Sequence, residues 1–360
     1  MSLRDQLKKL NVGMSRKAVS LSRHSENWFR AFTIANETLR KQIPANLELH
    51  YIGSTSIPNI HAKPILDVLG VVPSIEAFDS HRPELEALGF VWKGEYGIAN
   101  RRYCVLYDET EEFGLIHLHV FAKEDREVEK HLVFRDYLRS SPEASSRYQD
   151  LKRKLAETHT DARANYSEGK AELITQLLSE AYDWKKLKIA RHEIGHAVMA
   201  LRYGQRIQKV SLKEMDSALG TDNYRAFMKL EPVDPTIKFT GERALQKIMI
   251  SLGGYASEIL FYDVANIGGD DLTIAAKTAE DMLQVEEFRN WLATLPSPQP
   301  SVLDMIENPK IRAYIDRKIR ECVETLRQVK PVIQLIAEEL YKKEELTGDE
   351  IAAIFEEETQ

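Results

Sequence analysis

Only two cysteines occur in this 360-residue sequence, Cys104 and Cys322, far apart and outside any CxxC pair. That fits a reducing compartment and excludes a thiolate zinc cluster. Long apolar runs are absent as well: no window approaches the ~20 apolar residues that a membrane helix needs. The opening residues, MSLRDQLKKLNVG, lack an apolar stretch of signal-peptide length, so the expected location is the cytoplasm. Positive charge is not in excess. The net charge of −7 argues against a general nucleic-acid binder, because no basic surface is there to meet phosphates. Glycine and proline are few, and no internal repeat or low-complexity tract is visible. What remains is an ordinary globular composition, 43% hydrophobic and 29% charged, in a chain long enough for two cores.

The first half mixes strands and helices. Residues 47–52, 65–72, 102–107 and 115–121 are short, β-branched or alternating, and bounded by turn residues, which predicts strands. Helical spacing appears at 28–42 and 129–138, and runs almost unbroken from 146 to about 187. The second half is mainly helical. A short strand at 208–212 is followed by helices at about 241–262 and 272–283. A breaker cluster at 295–300 then precedes two or three helices between 309 and 355. The expected division is 1–184, an α/β (α+β) domain with a mixed sheet, and 185–360, a mainly α domain; the boundary can lie within a continuous helix.

The central chemical signal is His192-Glu193-Ile194-Gly195-His196. Residues i and i+4 share one helix face, so both imidazoles can reach a single metal ion. Glu193 flanks that face, where it can hold a water and accept its proton once zinc has lowered the water pKa to ~7. Gly195 costs about 1 kcal/mol relative to alanine within a helix, which implies a close approach by a neighbour. A catalytic zinc also needs a third protein ligand. The bland alternative is two histidines and a glutamate falling together by chance on an amphipathic helix.

Further motifs follow in order. They are Lys209-Val210-Ser211-Leu212, Ala218-Leu219-Gly220, Leu252-Gly253-Gly254-Tyr255-Ala256-Ser257-Glu258, Gly268-Gly269-Asp270-Asp271-Leu272, and a tail from 330 to 355. With the HEIGHA element they resemble the peptidase domain of FtsH-type, ATP-dependent zinc metalloproteases, from about 187 to 357. The resemblance implies Zn²⁺ held by His192, His196 and Asp271, with Glu193 as catalytic base. Asp270 and Asp271 open a helix, where a carboxylate is otherwise an N-cap. Glu258 is the next candidate ligand, and its expected role is to orient a histidine or close a helix contact. The ATPase module of that family has no counterpart here: there is no GxxxxGK[ST]. The expected substrates are therefore flexible peptides or already unfolded chains.

The first half carries His50-Tyr51-Ile52-Gly53-Ser54-Thr55-Ser56-Ile57-Pro58, Ala62-Lys63-Pro64-Ile65-Leu66-Asp67-Val68-Leu69, His117-Leu118-His119-Val120 and Phe134-Arg135-Asp136-Tyr137-Leu138-Arg139. Over about 21–184 it resembles the GrpB family, which implies a nucleotidyltransferase-like fold. Gly53 and Ser54 suit a phosphate contact, and Lys63, Arg101 and Arg102 are candidate phosphate partners. Asp67 supplies one metal-binding carboxylate. The alternate strand position, however, is Leu69, and the later strand offers His117 and His119 instead of an acid, so two-metal transfer is poorly supported. Binding of a nucleotide or phosphorylated small molecule without turnover is expected. Asp67, His117 and His119 as a transition-metal site is the sharper alternative. The whole reads as a zinc endopeptidase fused to a ligand-binding domain. The competing readings are a nucleotidyltransferase with a structural peptidase-like half, and a binding protein with both sites degenerate. Homo-oligomerisation is left open.

Overall fold

The β-branched runs of the first half pair into a mixed sheet, and the apolar-periodic runs of the second pack as helices. The computed structural model describes all residues except 16–19, 44–45, 159–170, 214–225, 233–239, 264, 266–268, 296–301 and 360. The chain divides into two units, Met1–Asp183 and Trp184–Gln360.

The first unit begins with α1 (Leu3–Lys9), β1 (Met14–Ser15), α2 (Glu26–Gln42), β2 (Glu48–Ile52) and β3 (Leu66–Val72). Two short helices, α3 (Ile75–Asp79) and α4 (Arg82–Ala87), lead to β4 (Phe90–Trp92), β5 (Arg102–Tyr107) and β6 (Phe113–Ala122). Helices α5 (Arg126–Ser140) and α6 (Pro142–Thr158) follow. The sheet order is β2-β3-β6-β5-β4, with β1 against β6. Only β3 and β6 pair in parallel; the other named pairs are antiparallel. Because strand side chains alternate, the sheet has two distinct faces. One face packs Val68, Ile116 and Leu118 against Trp28 and Leu39 of α2 and Phe78 of α3. The other places Ile52, Leu69, Val71 and Phe121 under Val128 and Leu132 of α5. Asp67, His117 and His119 share that second face by alternation with Leu69 and Phe121.

Helix α7 (Ala171–Arg202) contains the division between the units. The second unit continues with β7 (Ile207–Ser211), β8 (Phe227–Leu230), α8 (Gly241–Tyr262), α9 (Gly269–Asp281) and α10 (Glu286–Ala293). It closes with α11 (Pro309–Arg327), α12 (Lys330–Lys343), β9 (Glu345–Thr347) and α13 (Gly348–Thr359). Its strands form an antiparallel sheet in the order β8-β7-β9. Ile194 and Val198 of α7, Ile248 and Leu252 of α8, Ile315 of α11 and Ile333 of α12 meet in one core.

The longer strands and helices fall where alternation and helical spacing place them. The elements not anticipated are short: α1, β1, α3, α4, β4, β8, α10 and β9. A three-residue strand offers too few positions for a period to register. In β9 the strand exists because Glu344 ends α12 at φ 65°, turning Leu346 into the core beside Val210. The Ala218-Leu219-Gly220 segment, Gly268 and the breaker prolines Pro296, Pro298 and Pro300 lie outside the described residues.

Candidate metal centre

Helix α7 presents Trp184, Lys188, His192 and His196 at successive i+4 positions, which stack on one face. Helix α8 lies directly against this face. A Cβ on Gly195 would fall under 3.0 Å from Gly253 O and from Ser257 Cβ, closer than real Cβ contacts come. Gly195 is thus the point where the two helix backbones touch, which accounts for a poor helix former at that position. Gly254 is bound by a second contact: its Cβ would press on Nε2 of both His192 and His196.

Each imidazole is fixed through Nδ1. His196 Nδ1 donates to the backbone oxygen of Ile250 at 2.7 Å, since a carbonyl can only accept. His192 Nδ1 lies 2.8 Å from Glu258 Oε1. Glu258 is fully buried, and its other oxygen, Oε2, is 3.0 Å from Nζ of the buried Lys188. An ion pair with Lys188 keeps Glu258 anionic, so it too accepts from the ring. Lys188 in turn sits over the rings of Tyr262 and Trp184, at 5.3 and 5.7 Å.

With both Nδ1 atoms donating, a neutral imidazole leaves Nε2 as an acceptor. The two Nε2 atoms face each other at 3.1 Å, and Asp271 Oδ2 lies 3.0 Å from one and 3.3 Å from the other. Three lone-pair-bearing atoms at that spacing repel unless a positive charge sits among them. A tetrahedral zinc with ligands at about 2.0–2.1 Å separates its ligand atoms by about 3.3 Å, so the donor set fits that ion. A proton is the alternative occupant. Burial disfavours charge on His192, but the carboxylates of Asp271 and Glu258 outweigh it and push the ring up to about 9. Burial also works against the Asp271 carboxylate, and the two imidazoles overcome it, holding Asp271 well below the usual range. Burial raises Glu193, against the pull of His196 and His192.

Both members of the acidic pair line the adjacent cavity, and Asp271 is the one that reaches the histidines. That cavity, of ≈ 850 Å³, is bounded by His192, Glu193 and His196 on one side and by β8 on another. Lys188 is the residue that sequence reading passed over. Its signal was available, since it stands four positions before His192 on the face already singled out.

In the first unit, Asp67, His119, Arg101 and Gly53 line a cavity of ≈ 570 Å³ with His131, Arg135 and Tyr148. Gly53 has φ 69° and abuts Asp67 so closely that a Cβ would collide with the carboxylate. Ser54 Oγ lies 3.3 Å from Tyr148 Oη. The expected phosphate cations are arranged differently. Arg102 points to the opposite face of β5 and pairs with Asp79 through two bonds of 2.5 and 2.7 Å. Alternation along β5 requires this, because Tyr103 occupies the cavity face beside His119. Arg101 donates to the carbonyls of Glu95 and Tyr96, and Nη1 lies 3.3 Å from His119 Nδ1, so it fastens its own loop. Lys63 is not among the residues lining this cavity. His117 Nδ1 turns onto Asp67 Oδ1 at 3.2 Å while His119 faces Arg101. Among the described residues, the trio that brings three ligand atoms together is His192, His196 and Asp271, and Asp67, His117 and His119 do not form a second.

A mixed-sheet α/β unit followed by a mainly helical unit that carries a candidate metal site is thus the class that fold and site define. Residues 18–180 match the profile of the family described as GrpB protein, and residues 179–289 match Peptidase family M41. The chain belongs to the GrpB family: it is 31% identical to the glutamate-rich protein GrpB of Alkalihalophilus pseudofirmus, over 47% of this chain and 99% of that protein. It is 38% identical to the UPF0157 protein YqkA of Bacillus subtilis over 48% of this chain, and spans about half, 49%, of that relative. The second unit is similar to the ATP-dependent zinc metalloprotease FtsH 2 of Bdellovibrio bacteriovorus, at 28% identity over 43% of this chain and 25% of that protein. No helix among the described residues is long and apolar enough to cross a membrane.

Proposed function

We propose that the second unit is a zinc-dependent endopeptidase acting on flexible or unfolded polypeptide. The observation that supports this best is the convergence of three acceptors, His192 Nε2, His196 Nε2 and Asp271 Oδ2, at 3.0–3.3 Å beside the carboxylate of Glu193. His192, His196 and Asp271 would hold the zinc, which supplies Lewis acidity toward water and the scissile carbonyl. Glu193, one residue from His192 and lining the same cleft, takes the water proton on its carboxylate and returns it to the leaving amine. Glu258 and Ile250 O hold the two rings in the tautomer that leaves Nε2 free to bind metal.

The test is metal content of purified protein by mass spectrometry, together with cleavage of an unfolded casein substrate. About one zinc per chain, lost in His196→Ala, with cleavage abolished in Glu193→Gln, is the expected result. Wild-type protein that takes up no zinc when supplied with it would sink the reading. For the first unit we propose a binding site for a nucleotide or another phosphorylated small molecule in the ≈ 570 Å³ cavity, without group transfer. Calorimetric titration with nucleoside mono-, di- and triphosphates tests it, and heat changes that vanish in Tyr148→Ala are expected.

A further inference from the structure

The face of α8 that ends at the two histidines carries basic side chains further along its length. Arg243, Gln246, Lys247, Ile250 and Ser251 recur at helical i, i+3, i+4 spacing, and all line the ≈ 850 Å³ cleft. Gly254 comes next in the same stripe and fixes its end, because it abuts both Nε2 atoms. The acids of the cleft, Glu193, Asp270 and Asp271, include the metal-site groups themselves. Its cations, Arg243 and Lys247 on α8 with Lys229 on β8, belong to the walls. Lys247 is exposed and Arg243 half-buried. In a chain with a net charge of −7, this wall is not a sample of a generally basic surface.

The helix supplies a ruler. At 1.5 Å per residue, Lys247 stands about 10 Å and Arg243 about 16 Å along the axis from Gly254. An extended peptide advances about 3.3 Å per residue, so these positions match side chains about three and about five residues from the bond being cut.

We propose that the cleft selects peptides carrying acidic side chains about three to five residues to one side of the scissile bond, with Lys247 and Arg243 as the specificity-determining residues. This deepens the peptidase reading and rests on it. Each such contact between solvent-accessible charges is worth up to about fivefold in affinity, and the preference shrinks as salt is raised.

The experiment uses the zinc-loaded full chain carrying Glu193→Gln and fluorescent peptides of one scaffold. Two Glu, two Gln or two Lys are placed three and five residues from the central bond, on either side in turn. Anisotropy at low salt is expected to show the Glu peptide binding about five- to tenfold more tightly than the Gln peptide on one side only, with the Lys peptide weakest. Lys247→Glu combined with Arg243→Glu should reverse that order. Equal binding of the three peptides, no binding by any of them, or an order that survives both reversals overturns the proposal. Cleavage by wild-type protein separates the two ideas. Charge-selective binding without cleavage refutes the peptidase reading while the cleft assignment stands. Cleavage indifferent to charge refutes the cleft assignment alone.

Discussion

Replacing Glu258 by glutamine removes one charge from the relay behind His192 and changes little in shape. In the native arrangement, Oε1 receives the His192 ring at 2.8 Å and Oε2 receives Lys188 at 3.0 Å, with Glu258 itself fully buried. A glutamine has a single acceptor oxygen, so one of the two donors would face an NH₂ group. If the oxygen stays with His192, the Lys188 ammonium, 3% exposed, loses its carboxylate partner. Breaking a buried pair in this way costs about 3–5 kcal/mol. For a unit of this size, each kcal/mol shifts Tm by about 2–4 °C, so the second unit should melt about 6–20 °C lower. Zinc affinity should fall about tenfold, because a neutral amide no longer raises the basicity of the ligating ring. The double variant Lys188→Met/Glu258→Gln removes the stranded charge, and it should regain most of the lost stability while zinc binding remains weak. Differential scanning calorimetry and competition with a chromophoric chelator read the two quantities separately. The reasoning fails if Glu258→Gln melts with wild type, or if the double variant is no more stable than the single.

Three further outcomes follow from the same structure. Zinc at about 100 times its Kd should stabilise the second unit by about 2.7 kcal/mol, and chelator should abolish that gain in wild type but not in His196→Ala, which never acquires it. A Gly195→Ala substitution, favourable by helix propensity, should instead destabilise by about 1–3 kcal/mol in urea unfolding, because its Cβ would have to displace Gly253 O and Ser257; a neutral or stabilising result would contradict the helix contact. Burial, reinforced by His131, His117 and Arg101 against the opposing pull of Asp67, lowers His119 to about 3. A histidine whose folded value lies below its unfolded value of ~6.5 binds fewer protons when folded, so its contribution is intact above about pH 6.5 and is lost as pH falls toward about 3. The first unit should lose about 2–3 kcal/mol between pH 6 and pH 4, and His119→Gln should flatten that slope in a pH series of thermal melts.

The candidate metal site was legible because its information is local and periodic. His192, Glu193 and His196 lie within five residues of one helix, and the glycines at 195, 253 and 254 record the approach of a second helix. The choice of Asp271 over Asp270 was not local. It depends on the angle at which α9 meets α7, and the resemblance supplied it where spacing could not. In the first unit the strands carrying Asp67, His117 and His119 were equally legible, and alternation correctly put the two histidines on one face. The same rule applied to Arg101 and Arg102 would have separated Arg102 from the cavity, because neighbours on a strand point to opposite faces. The bonds of Arg101 to its own loop left no trace in the sequence, since the carbonyls of Glu95 and Tyr96 are backbone groups that any residue offers.

The two sites differ as a set of converging acceptors differs from a hydrogen-bonded cluster of the same residue types. Asp67 and His117 form a donor–acceptor pair, and Arg101 supplies donors beside His119, so each polar group has a complement of opposite kind. At the second site the complements are used up on the outer side. Glu258 and Ile250 O take both Nδ1 hydrogens, and what remains inside is acceptor facing acceptor facing carboxylate. A fold does not bury such an arrangement at 3.0–3.3 Å without a cation or proton to resolve it. The outer bonds therefore carry the functional argument as much as the HExxH spacing does. A chance pair of histidines at i and i+4 would have no reason to have both Nδ1 atoms anchored and both Nε2 atoms converging on a half-buried aspartate oxygen.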